Sequence, residues 1–115
     1  GADALSGGAG GDTLIGGAGR DRILGGADND LISGGRGKDL IWAGTGHDRV
    51  SGGGGPDTIV GGTGKDKLYG NNGDDLILGG PGRDNINCGP GDDIARGGPG
   101  ADTADSSCEI QTSIP

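Results

Sequence analysis

The sequence predicts a repeat fold with a period of nine residues, and it excludes a globular domain with a conventional hydrophobic core. A nine-residue period without insertions covers residues 1–105, and within it one Asp column and one aliphatic column keep the same register. Gly supplies 32 of the 115 residues, while apolar residues make up only 29%. That composition alone is typical of disorder, so the period is the observation that favours an ordered fold.

The period is visible in rows of nine from Gly7, which begin GGAGGDTLI, GGAGRDRIL and GGADNDLIS. Residues 1–6 fill the end of a preceding row, and the last complete row ends at Asp105. Position eight of each row is always aliphatic. Position six is always Asp, and this column consists of Asp3, Asp12, Asp21, Asp30, Asp39, Asp48, Asp57, Asp66, Asp75, Asp84, Asp93 and Asp102.

Positions one, two and four are nearly always Gly, which indicates a positive φ or a close approach of neighbouring backbone. Asp28 and Asn71 are exceptions of the residue types that best tolerate the left-handed region. Ala43 and Cys88 are exceptions that do not belong to those types.

These columns match the pattern GGxGxDxUx, so the chain resembles the RTX, or hemolysin-type, calcium-binding nonapeptide repeat family. The resemblance implies an all-β fold, a right-handed parallel β-roll (a β-solenoid) with two short parallel sheets and calcium in the turns. The first six residues of each row would form a metal-binding turn and the last three a short strand. Two rows would complete one coil of about 18 residues. The roll would cover residues 1–105, and residues 106–115 would form a C-terminal capping tail.

A coil of two rows divides the Asp column into two stacks, one on each edge of the roll. Stacked rungs lie about 4.8 Å apart, so each carboxylate faces a like charge above and below. Calcium between rungs reverses the sign of that interaction, and it takes six to eight oxygen ligands from carboxylates and carbonyls. Six Asp in each stack leave five gaps, which predicts up to about ten Ca²⁺ ions and a chain that is disordered without calcium. Solvated Asp-Gly turns are the alternative explanation of the repeat.

Magnesium fits this pattern less well because it demands octahedral geometry and keeps its water. Zinc fits worse, since His47 is the only His and the two Cys are distant from it.

The two outer faces of the predicted roll differ, because position eight points inward and positions seven and nine point outward. One face carries an apolar strip, here called the apolar face, of Leu24, Leu40, Trp42, Val60, Leu76 and Leu78. A contiguous apolar surface is typical of an interaction site, which predicts self-association through this face or through the coil ends. The alternative is β-propensity at surface positions that tolerate apolar residues.

Cys88 and Cys108 are expected to form a disulfide. Cys108 lies two residues past Ser106, the position that would stack on Cys88, and a tail that turns back could reach the required Cα separation. Two unrelated thiols are the alternative. A disulfide and millimolar calcium both favour a secreted or cell-surface location.

The leading function is therefore a secreted calcium-binding β-roll with a structural or assembly role. The alternatives are a C-terminal secretion or adhesion module of a larger RTX protein, and an ice-binding roll, for which only Thr45 and Thr63 would stack. No membrane span is expected, because no apolar run approaches about 18 residues. A net charge of -8 argues against nucleic-acid binding. No catalytic residues are predicted, because the Asp residues are already committed to the repeat.

Overall fold

A computed structural model shows a parallel β-solenoid without helices, and it describes residues 2–100, 102–104 and 108–110. Odd-numbered strands form one sheet in the order β1-β3-β5-β7-β9-β11-β13, and even-numbered strands form a second sheet in the order β12-β10-β8-β6-β4-β2. The strands are β1 Ala4–Ser6, β2 Thr13–Ala18, β3 Arg22–Gly26, β4 Leu31–Arg36, β5 Leu40–Gly44, β6 Arg49–Gly54, β7 Thr58–Gly62, β8 Lys67–Asn71, β9 Leu76–Leu78, β10 Asn85–Asn87, β11 Ile94–Arg96, β12 Thr103–Ala104 and β13 Glu109–Ile110.

The register confirms the predicted coil of two rows. Ile23 lies beside Ile41, and Ile41 lies beside Ile59, so each coil stacks on its predecessor without slipping. The middle strands are longer than the three residues expected, because glycines after position nine also pair with the next coil. Gly17, for example, pairs with Gly35.

The interior of the roll is a single column of aliphatic side chains between the sheets. Position eight supplies Ile23, Ile41, Val50 and Leu68, each fully buried, along with five further residues of the same column. Side chains alternate in and out along a strand, and an inward residue in each row therefore meets its neighbours above, below and across the roll. This narrow core fixes the height and twist at which the Asp-containing turns face each other.

The glycines that have a positive φ all stand at positions two and four of the row. Asp28 and Asn71 are the non-glycine residues that adopt positive φ in the described chain, at 72° and 68°. Position one has an ordinary φ, and its glycines are needed instead because neighbouring atoms come close. Ala43 and Cys88 stand at position one, which explains why a residue with a β-carbon is compatible with the backbone there.

The predicted capping tail adds a strand to the first sheet. In β13, Glu109 pairs with Ile94 and Ile110 with Ala95. A full coil of two rows would place residue 112 beside Ile94, so the last coil is three residues shorter than the others. The rest of the tail, residues 106, 107 and 111–115, lies outside the described residues, and a cap over the last coil stays a prediction.

Candidate metal centre

The Asp residues of position six form two ladders, one along each edge of the solenoid. In each ladder the backbone N–H of one Asp donates to Oδ1 of the Asp in the following coil, as from Asp39 to Asp57 at 2.9 Å and from Asp48 to Asp66 at 2.9 Å. The ladders contain the predicted stacks, Asp3, Asp21, Asp39, Asp57, Asp75 and Asp93 on one edge, and Asp12, Asp30, Asp48, Asp66, Asp84 and Asp102 on the other.

In most of these carboxylates the second oxygen is buried and receives no hydrogen bond. Asp57 is 2% exposed and Asp66 is 1% exposed, and their Oδ2 atoms have no donor within reach. The same holds for the Oδ2 atoms of Asp12, Asp21, Asp30, Asp39, Asp48, Asp75, Asp84 and Asp102. A buried carboxylate oxygen without a hydrogen bond costs several kcal/mol, so its repetition at consecutive rungs favours a binding site for a cation.

Where glycine stands at position one, the unsatisfied Oδ2 shares a small cradle with a backbone carbonyl of the next coil, except at Gly97 beside Asp102. A β-carbon placed on Gly16 would lie 2.6 Å from Asp21 Oδ2 and 2.6 Å from the carbonyl oxygen of Gly34 in the next coil. At Gly70 the corresponding distances are 2.6 Å to Asp75 Oδ2 and 2.7 Å to the carbonyl oxygen of Cys88. Glycine at position one therefore leaves two hard oxygens from adjacent coils converging on the same space.

The electrostatics of the ladders oppose ionisation when no cation is present. Burial raises the pKa of Asp57, Asp66 and Asp75 from 3.8 to about 7. The charges of the neighbouring rungs raise the pKa further, as Asp75 and Asp39 do for Asp57, while the hydrogen bond from the Asp39 N–H lowers it. The pKa of Asp48 rises to about 6 for the same leading reason. A cation between the rungs removes both the burial penalty and the repulsion.

The donor set suits a hard cation held mainly by backbone oxygens. In the described part of the chain no three His, Cys, Asp or Glu side chains converge on one point, so carbonyls must supply most of the ligands. Calcium accepts such mixed carboxylate and carbonyl coordination at about 2.3–2.6 Å. Zinc does not fit, because His47 is exposed on a turn and Cys88 is consumed in a disulfide.

Two rungs depart from this arrangement. Ala43 precedes Asp48 by five residues, as Gly16 precedes Asp21, and its methyl group is fully buried. Cys88 stands in the same relation to Asp93 and is also fully buried. At both rungs a β-carbon stands at the position where other rungs have glycine.

The repeat matches the model of a known protein family. The model of the RTX calcium-binding nonapeptide repeat matches four segments, residues 1–32, 24–59, 51–86 and 89–106. The chain belongs to the RTX calcium-binding nonapeptide repeat family. RTX repeats bind calcium, and the orphaned Asp oxygens and their glycine cradles fit that ion. No curated protein matches this RTX chain closely.

Other side chains of this RTX chain support the turns in a way the sequence analysis missed. Asp28 Oδ2 accepts the Gly10 N–H at 2.8 Å, and Asp74 Oδ1 accepts the Asp92 N–H at 2.8 Å. His47 links two turns, because its Nδ1 accepts the Lys65 N–H at 3.0 Å. All three contacts join residues that are two rows apart in the sequence, which is the signal that could have identified them.

The disulfide and the outer faces are also defined. Cys88 and Cys108 are bonded with a Cα–Cα distance of 5.2 Å, as expected.

The apolar face lies on the odd-numbered sheet, where Leu24, Trp42 and Leu76 are 40%, 53% and 36% exposed. The other sheet also exposes apolar side chains, Ile15 and Leu31, near its N-terminal end. No helix in the described residues is long and apolar enough to span a membrane.

Proposed function

We propose that this chain is a secreted calcium-binding β-roll that folds when it binds Ca²⁺ and then serves as a structural and assembly module. The observation that supports the proposal is the succession of buried Oδ2 atoms that have no hydrogen-bond donor and face a carbonyl of the next coil. A cation in each gap turns the main source of repulsion in the roll into its main cross-link.

The sites we propose are the gaps between successive Asp residues of each ladder, with the twelve Asp of position six as carboxylate ligands and up to about ten ions in total. Folding is coupled to binding, because a chain with 29% apolar residues buries too little surface to offset its ordering entropy. Ligands that bind only the folded state stabilise it by mass action.

An oxidising, calcium-rich compartment is consistent with the remaining features. A disulfide persists outside the cytosol, and the Cys88–Cys108 bond closes the end of the roll at which the row pattern stops. We therefore assign the protein to the outside of the cell, where millimolar calcium keeps the roll folded. Enzymatic activity is not part of the proposal, because the carboxylates are held as ligands.

The test compares two charge-neutral substitutions. Asp57→Asn removes a carboxylate from the middle of a ladder, whereas Asp28→Asn removes one from an exposed turn and keeps a residue that tolerates positive φ. Isothermal titration calorimetry counts the ions, and far-UV circular dichroism follows folding during a calcium titration. Asp57→Asn should bind fewer ions and need more calcium to fold, while Asp28→Asn should match the unsubstituted chain. Equal calcium dependence of the two variants would contradict the proposal.

A further inference from the structure

One edge of the roll carries a column of exposed charges whose sign reverses at its centre. Position five on the edge of Asp57 is occupied in successive coils by Arg20, Lys38, Pro56, Asp74 and Asp92, and all five are exposed. The two basic residues precede Pro56 and the two acidic residues follow it. Within the described part of the chain, no ion pair joins these cations to these carboxylates.

The apolar face next to this edge extends to both sides of the same coil. In the odd-numbered sheet Trp42 pairs with Val60, and Val60 pairs with Leu78. In the neighbouring column Leu40 pairs with Thr58, and Thr58 with Leu76. Strand β7, Thr58–Gly62, is therefore the midline of the charge column and of the part of the apolar face that lies on β5, β7 and β9. Leu24, on β3, lies outside this symmetric part, since its counterpart on β11 is Arg96.

We propose that two calcium-loaded copies of this chain pack face to face through the odd-numbered sheet, in antiparallel orientation, about a two-fold axis that runs along β7. This axis exchanges the coil below β7 with the coil above it and leaves each edge on its own side. It therefore brings Trp42 onto Leu78 of the second copy and Leu40 onto Leu76 of the second copy.

The same operation matches the charge column with itself. Lys38, one coil before Pro56, meets Asp74 of the second copy, one coil after it. Arg20, two coils before, meets Asp92 of the second copy, two coils after. An isologous interface needs a surface that is complementary to itself under two-fold rotation, and a column ordered basic, basic, neutral, acidic, acidic satisfies this condition.

A dimer of standard size would use most of one broad side of the roll, turns included. The molecule measures 36 × 29 × 14 Å, so a whole broad side spans roughly 1,000 Å², and a standard interface buries about 800 Å² per partner. Trp42, with 53% of its surface exposed, lies near the centre of the contact, where an aromatic residue contributes most. The charge column lies at the rim, where it sets orientation and partner choice more than affinity.

This inference rests on the proposed function, because only the folded, calcium-loaded roll presents the face and the column. Sedimentation equilibrium in calcium tests it with two variants. The acidic-column variant is Arg20→Glu with Lys38→Glu, and the basic-column variant is Asp74→Lys with Asp92→Lys. We expect each variant alone to dimerise about 10- to 100-fold more weakly than the unsubstituted chain, because like charges then face each other.

Mixing the two variants should restore dimerisation, since an acidic column then faces a basic one. A matched control, Lys65→Glu with Arg83→Glu, reverses two exposed charges on the opposite edge and should dimerise as the unsubstituted chain does. Circular dichroism checks that every variant folds with calcium. A chain that folds with calcium but stays monomeric, or a dimer that the column variants do not weaken, overturns the inference alone. A chain that gains no structure with calcium overturns the proposed function.

Discussion

Gly52→Ala tests the geometry of the cradles with the smallest possible change. A β-carbon at Gly52 would lie 2.6 Å from Asp57 Oδ2 and 3.0 Å from the carbonyl oxygen of Gly70, both inside the 3.4 Å at which ordinary contact begins. The Oδ2 atom cannot move freely, because Oδ1 of the same carboxylate holds the Asp39 N–H at 2.9 Å. The added methyl group therefore displaces a carboxylate oxygen that we assign to a calcium site.

The expected cost follows from that displacement. Overpacking of a tight site costs typically about 1–3 kcal/mol, which corresponds to a loss of roughly 5- to 150-fold in the calcium affinity of the affected gap. Isothermal titration calorimetry measures this loss as a weaker class of sites, and circular dichroism measures it as a higher calcium midpoint of folding.

Gly54→Ala is the control, two residues further along strand β6. A β-carbon at Gly54 meets no atom within 4 Å, and the φ angle there is not positive. This variant should keep the calcium affinity and fold slightly more easily, because alanine loses less entropy than glycine. If Gly52→Ala and Gly54→Ala have the same calcium midpoint, the position-one cradle is not part of the calcium site.

Three further predictions address other features of the roll. Ala43→Gly should raise the calcium affinity of the rung at Asp48, whereas Ala27→Gly at an exposed turn should not; calorimetry distinguishes them, and a lower affinity in Ala43→Gly would contradict the argument. In the metal-free chain the pKa of Asp57 is raised from 3.8 to about 7, so protonation favours the fold: order should be greatest near pH 4 and lost as the pH rises through 7, as followed by circular dichroism. Order that instead increases with pH would refute the burial argument. Replacing both Cys88 and Cys108 by Ser should destabilise the calcium-loaded roll by about 3 kcal/mol in urea unfolding, and an unchanged midpoint would show that the last coil needs no covalent link.

The spacing of residues predicted the nine-residue register, and the resemblance to RTX repeats implied the coil of two rows and with it the two Asp stacks. A nine-residue register that never slips leaves little freedom, since Asp at position six and an aliphatic residue at position eight have to occupy equivalent places in every row. The pairing of Ile23 with Ile41 and of Ile41 with Ile59 follows from this register once two rows form one coil, as the resemblance implied.

The different reasons for glycine at positions one, two and four could not be predicted from the pattern. All three columns look alike in the sequence, but positions two and four need a positive φ, and position one needs space beside an Asp oxygen. Ala43 distinguishes them, because alanine tolerates the ordinary φ of position one but would be strained at positions two and four.

The strand pairing at the C-terminal end of the roll could not be predicted from the repeat pattern. Cys108 follows the last row, where no period constrains the chain, and the pairing of Glu109 with Ile94 depends on a coil three residues shorter than the repeat. The charge column was not recognised in the sequence because its members are far apart along the chain. Arg20 and Asp92 lie eight rows apart, and only stacking of the coils brings them into one column.

Removal and return of calcium, followed by far-UV circular dichroism and calorimetry on the same sample, is the most direct test of the central claim. The protein should lose its β-structure in excess EGTA at neutral pH and regain it cooperatively as several calcium ions bind. Full β-structure in EGTA, with no heat of calcium binding, would show that the buried Asp ladders are stable without a cation and would contradict the account.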